Sequence, residues 1–163
     1  MSERAPLMDD LAEIAVEDAE LADAAADDPT SSRPLWRERL ATMTAIGVGA
    51  IAGANARYLV GLWVAARWGS AFPWGTLLIN LSGSFVLGFY LALVTERLTG
   101  RSTTRLLLAT GFLGAYTTFS TFSYETVALV QHGALGPAVA YVAASLIGGL
   151  IAVFAGVVAA HAL

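Results

Sequence analysis

From about Leu40 onward the chain is close to continuous apolar sequence, and it divides into four stretches that are each long enough to cross a bilayer. They run from about Leu40 to Ala66, Thr76 to Val94, Leu106 to Val130 and Leu135 to Val158. Hydrocarbon offers backbone N–H and C=O groups no partners, so segments of this kind cross as helices, which satisfy those groups internally. Nineteen residues, the shortest of the four, give about 28 Å of helix. The 163 residues are 56% hydrophobic and 13% charged, with a mean hydropathy of +0.65, whereas a soluble domain is about 25% charged. The predicted fold class is all-α integral membrane, with four transmembrane helices and short loops.

The charge that remains is unevenly placed. Ten of the thirteen acids lie in the first 28 residues, so the net charge of −4 describes a tail and not the body. Residues 1–34 read as an acidic, disordered cytoplasmic tail, although Leu7, Leu11 and Ile14 have the spacing of a short amphipathic helix. No basic start precedes an apolar run, so the tail does not read as a signal peptide. Residues 35–163 are expected to form a single transmembrane domain. Without cysteine there is neither a disulfide nor a thiolate site, and two histidines are too few for a zinc or haem set. The arginines do not cluster as a nucleic-acid surface would, and no acid/base pair or nucleophile–base pair assembles from the spans, so no enzyme is expected. Arg33, Arg37, Arg39, Arg97, Arg101 and Arg105 fall on one side of the predicted topology and Arg67 on the other. The positive-inside rule then places both termini in the cytoplasm.

Polar groups inside the spans are few. Arg57 lies only about 6 Å from the middle of the first span by helical rise, a depth at which charge is costly and functional by default. The other reading is that this span ends early and Arg57 snorkels to the interface. Gly49 and Gly53 give the first span a GxxxG approach face, and Trp63, Trp68 and Trp74 suit an interfacial belt. In the second span Thr76, Asn80, Gly83, Ser84 and Leu87 share one face. Asn80 carries an amide with two N–H donors; it either ties helices together or faces a solute. Tyr141, Ser145 and Gly149, spaced by four, draw a thin polar line on the fourth span, which reads as packing or as part of a path.

The third span holds the densest signal. Thr117 to Ser123 carry five hydroxyls in seven residues, and Glu125 follows. These groups need protein, water or an ion as partner. Ser and Thr compete for nearby backbone groups, and Gly111 and Gly114 precede them, so a break in this helix is expected. Irregular backbone at that depth survives only where it is buried or lines a cavity. Phe119 and Phe122, three apart, are packing residues or present ring edges to an anion. By register Arg57 and Glu125 sit at similar depth, and a buried pair between them is possible. The charge closest to the midplane is a cation, and a small anion is the solute that suits these donors. A small-molecule or cation exporter would want a carboxylate there instead.

Three motifs carry a family resemblance: Gly53-Ala54-Asn55-Ala56-Arg57-Tyr58, Gly75-Thr76-Leu77-Leu78-Ile79-Asn80-Leu81-Ser82-Gly83-Ser84-Phe85, and the run from Gly111 to Glu125 with its Thr117-Thr118-Phe119-Ser120-Thr121-Phe122-Ser123 core. The chain resembles the Fluc (CrcB) fluoride channels over about Gly47 to Gly156. The resemblance implies an antiparallel dimer of four-helix subunits that passively exports cytoplasmic fluoride and lowers its toxicity. By position it implies that Asn80 donates to fluoride, that Phe119 and Phe122 face it, and that Ser120, Thr121, Tyr141 and Ser145 line the path. It also implies a structural Na⁺ at the dimer centre, held by the carbonyls of Gly114 and Thr117. The second subunit is a like chain or an oppositely oriented paralogue. Dual insertion needs balanced charge, so the arginine bias favours one orientation, and a non-conducting partner subunit is the alternative reading.

Overall fold

The computed structural model describes residues 35–97 and 102–162. The acidic segment 1–34, with the helix suggested by Leu7, Leu11 and Ile14, lies outside the described residues, as does residue 101 of the arginine-bearing loop. Every regular element among the described residues is helical. In order they are α1 (Leu35–Trp68), α2 (Trp74–Arg97), the four-residue α3 (Ser102–Arg105), a π-helix π1 (Leu106–Leu113), the three-residue α4 (Gly114–Tyr116), α5 (Phe119–Gln131) and α6 (Leu135–His161). Leu35–Trp68, Trp74–Val94 and Leu135–His161 are long and apolar enough to cross a membrane. The apolar segment Leu106–Val130 is instead divided among π1, α4 and α5.

The chain separates into two compact units, one ending at Leu40 and the other beginning at Ala41. In the first, the described residues are helical and the Arg37 guanidinium stands 5.5 Å from the Trp36 ring centre. The second unit, Ala41–Leu163, contains everything that follows.

Its main packed pair is α2 against α6. Two glycines let these helices meet backbone to backbone. A Cβ on Gly88 would strike the Val153 carbonyl oxygen, and one on Gly156 would strike that of Phe85. Small residues at such crossings permit dispersion contacts that lipid would otherwise provide. The GxxxG face of α1 works the same way against π1. A Cβ on Gly49 would strike the Leu107 carbonyl, and one on Gly53 the Phe112 carbonyl.

Little of the unit is buried. Leu77, Phe122 and Tyr141 form the core cluster, with Phe72, Leu81, Leu129, Val142 and Ala144 packed around it. Large apolar side chains stand on the outside instead, among them Ile51, Val139, Leu150 and Phe154. A soluble monomer does not tolerate so much contiguous apolar surface; hydrocarbon or a second subunit does. Trp63, Trp68 and Trp74 gather at the α1–α2 turn, with ring centres 6.2 Å and 6.1 Å apart in sequence. There Gly69 takes φ +75°, a left-handed conformation that side chains resist. Gly133 (φ +75°) ends α5 in the same way, with Ala134 N–H returning to the Leu129 carbonyl, the Schellman arrangement.

Candidate functional site

The site forms where the helical run through π1 and α4 stops. Tyr116 is the last residue of α4. Thr117 (φ −78°, ψ 158°) and Thr118 (φ −153°, ψ 114°) are extended, and α5 restarts at Phe119. A restart needs a cap for its free N–H groups. Thr118 supplies one: its Oγ1 accepts from the Thr121 N–H at 3.2 Å, the N-cap geometry that Ser and Thr favour.

Asn80 on α2 holds the interruption in place. Its Oδ1 accepts from the Thr118 N–H at 2.8 Å, and its Nδ2 donates to the Thr118 carbonyl at 3.1 Å. An amide side chain thus pairs with one residue's backbone as a neighbouring strand would. The two readings of Asn80 left open by sequence are therefore compatible. One N–H is spent on the tie, and the second remains for another acceptor. The Thr118 N–H would close a helical bond to the Gly114 carbonyl in an unbroken helix. Because it goes to Asn80 instead, Gly114 O loses that donor. Thr117 O faces Arg57 Nη1 at 3.5 Å, the outer limit of a hydrogen bond.

Asn80, Phe119, Phe122 and Ser145 line one cavity of about 310 Å³. Ser84, Thr117, Thr118 and Gly114 contribute to the same wall. The two rings stand 5.5 Å apart and are inclined by 43°. Phe122 is buried in the core, whereas Phe119 is 76% exposed. The Ser145 hydroxyl oxygen is buried without a hydrogen-bond partner, a state that costs about 1–3 kcal/mol unless something fills it.

Tyr141 and Glu125 are not among the residues that line this cavity; Tyr141 packs behind it against Phe122, with ring centres 5.2 Å apart. The fully buried Tyr141 donates through its hydroxyl to Glu125 Oε2 at 2.7 Å. Thr76 donates to Glu125 Oε1 at 2.9 Å. Both carboxylate oxygens are thereby engaged by hydroxyls from α2 and α6. The possible Arg57–Glu125 pair is not the arrangement found. Arg57 reaches the Thr117 carbonyl, and Glu125 is satisfied by neutral donors that are nearer to it.

Ser120 and Thr121 are exposed and stand apart from the cavity lining. Their hydroxyls gather on Thr118 Oγ1, at 3.2 Å and 2.9 Å. Sequence reasoning missed Thr118 as the hub of the site. The available signal was its place as the last hydroxyl before the restarted helix, a capping position. It also passed over Thr76 as a ligand of Glu125, though Thr76 was already on the Asn80 face.

A small, all-helical, multi-pass membrane protein with a donor-lined cavity at a helix interruption is a protein built to pass or hold a solute inside the bilayer. Residues 44–157 match the family model described as CrcB-like protein, Camphor Resistance (CrcB), and the chain belongs to that family. It is similar to proteins named fluoride-specific ion channel FluC. The one from Chloroflexus aurantiacus is 51% identical over 113 residues, which is 69% of this chain and 90% of that one. The one from Rhizobium meliloti is 46% identical over 111 residues, 68% and 89% of the two chains. A protein from Moorella thermoacetica named fluoride-specific ion channel FluC 2 is 48% identical over 118 residues, 72% and 95%.

Proposed function

We propose that this chain is a subunit of a passive, fluoride-selective channel that exports fluoride from the cytoplasm and so relieves its toxicity. One observation carries the reading: the cavity beside the interrupted helix is lined by Asn80, Ser84, Ser145, Phe119 and Phe122, side chains whose N–H, O–H and ring-edge groups can stand in for water around a small anion. Membership of a family whose relatives bear the fluoride-channel name supports the choice of anion. Fluoride is small and strongly hydrated, so a selective path must replace its hydration shell with comparable donors. The second Asn80 N–H and the Ser145 hydroxyl supply hydrogen bonds, and Phe119 and Phe122 supply positive ring edges. Glu125, held by Thr76 and Tyr141, fixes the Tyr141 ring beside Phe122 at 5.2 Å between centres. The membrane potential drives export, at about 2.3 kcal/mol per charge per 100 mV.

In this reading π1, α4 and α5 together make the third of four transmembrane segments, with its break at Thr117–Thr118. Both termini face the cytoplasm across a bacterial inner membrane. A second, antiparallel subunit completes the path, which accounts for a cavity-lining Phe119 left 76% exposed. The carbonyl oxygen of Gly114, which loses its helical donor, and that of Thr117, which Arg57 Nη1 reaches only at 3.5 Å, would suit a hard monovalent cation, which favours oxygen donors. A structural Na⁺ held there would pin the interruption and offset the carbonyl dipoles of a broken helix. Exchanging Na⁺ for N-methyl-glucamine on both sides of a proteoliposome is then expected to slow fluoride efflux and to lower the melting temperature of the purified dimer. Indifference of both to Na⁺ would remove the ion from the model.

The six-to-one arginine bias across the predicted topology favours a second reading, in which this chain conducts only with an oppositely inserted paralogue. Efflux from liposomes holding this chain alone, loaded with fluoride or with chloride, separates the possibilities. Fast loss of fluoride without chloride is the expected result. Loss of neither ion would point to an obligate partner, and equal loss of both would refute selectivity.

A further inference from the structure

We propose that Ser84 is a fluoride-binding residue of the path and supplies from α2 the hydroxyl that position 149 of α6 lacks. The polar line on α6 runs Tyr141, Ser145, Gly149 at intervals of four. Tyr141 is committed to Glu125, Ser145 has a buried hydroxyl with no partner, and Gly149 has no side chain, so the line stops one turn short on its own helix. The structure fills the gap from across the helix pair. If a Cβ is built on Gly149, the single neighbouring atom within 4 Å is Ser84 Oγ, at 4.0 Å. Ser84 follows Asn80 by four residues, so it stands one turn along the same face of α2. It shares the cavity wall with Asn80, Ser145, Phe119 and Phe122.

The behaviour of the other hydroxyls singles out Ser84. A Ser or Thr within a helix commonly bonds back to a carbonyl of the preceding turn. Ser82 does so to Ile79, Thr117 to Leu113, Ser123 to Phe119 and Thr126 to Phe122. Among the described residues no such bond engages Ser84 or Ser145. Two uncommitted hydroxyls from facing helices therefore border the same cavity as the free N–H of Asn80. Three donors from two helices form a set suited to a single small, poorly polarisable anion, and the path need not end at Ser145.

This inference rests on the fluoride-channel reading, and its test keeps the two apart. Fluoride efflux is measured from liposomes carrying the full chain and its variants. Ser84→Ala is expected to slow efflux about tenfold, the usual consequence of losing one hydrogen bond to a charged group. Ser84→Cys, which keeps the volume but offers only a weak donor, is expected to fall with it and guards against a packing effect. Gly149→Ser has room at ordinary van der Waals distance and, added to Ser84→Ala, is expected to restore efflux to within about threefold of the starting rate, since it returns one comparable donor to the same place. Unchanged efflux in Ser84→Ala, or failure of Gly149→Ser to rescue it, would overturn the proposal and leave the channel reading standing. Absence of fluoride efflux from the unsubstituted chain, both alone and reconstituted together with an oppositely inserted paralogue, would overturn the channel reading itself and this proposal with it.

Discussion

Asn80→Asp is expected to cut fluoride efflux at least about a hundredfold while leaving the elution of the purified protein on size exclusion unchanged. The substitution keeps the atom that accepts from the Thr118 N–H at 2.8 Å, so half of the tie to the interrupted helix survives. It removes both N–H groups. One of them donates to the Thr118 carbonyl at 3.1 Å, and the other is the donor left for the anion. Losing a hydrogen bond to a charged group costs about 1.5–3 kcal/mol, which is a tenfold to hundredfold effect by itself. A carboxylate also repels fluoride, by about 4 kcal/mol at 4 Å for an effective dielectric constant of 20. Either contribution is enough to stop rapid conduction, and both raise the barrier at the same point. Efflux near the unsubstituted rate would remove Asn80 from the path and reduce it to a structural tie. Loss of the folded protein from the size-exclusion profile would show that the tie to Thr118 matters more than the donor.

That double duty marks where the sequence stopped being legible. The apolar periodicity and the motif around Asn80 indicated which face of α2 turns inward, because a strip of small and polar residues inside a greasy helix has few places to go. The hydroxyl-rich run pointed to the right neighbourhood for the same reason. Which hydroxyl serves which partner was not legible, because that depends on three-dimensional register and not on spacing. Thr118 reaches Asn80 only because two extended residues rotate its backbone toward α2. Ser120 and Thr121, assigned to the path by resemblance, turn back toward Thr118. The Arg57–Glu125 pair followed from equal depth, yet depth says nothing about azimuth. Glu125 faces α2 and α6, where Thr76 and Tyr141 are waiting. An ion pair would have had to repay the desolvation of two charges, whereas two hydroxyls satisfy one carboxylate at lower cost.

The same alanine substitution at two glycines of α1 is expected to have opposite effects on stability. At Gly47 an added Cβ meets nothing within 4 Å. Alanine there removes backbone freedom from the unfolded chain and improves helix propensity, a gain of up to about 1 kcal/mol. At Gly53, six residues on, the added Cβ falls on the Phe112 carbonyl oxygen and lies 2.9 Å from its carbon. The obstruction is backbone, so no rotamer change relieves it. Helix α1 must move away from π1, which also strains the neighbouring contact in which Gly49 and Gly111 face each other, where a Cβ on Gly111 would lie 3.1 Å from the Gly49 Cα. Overpacking of this kind costs about 1–3 kcal/mol, and more where backbone must shift. Gly53→Ala is therefore expected to lower the melting temperature of the detergent-solubilised protein measurably, with Gly47→Ala level or slightly above the starting protein. Its efflux should slow as well, because π1 leads directly into the Thr117–Thr118 interruption and carries any displacement to Asn80. Equal melting temperatures for the two variants would mean that α1 and π1 do not approach as closely as their glycines allow, and that the interruption is positioned from α2 alone.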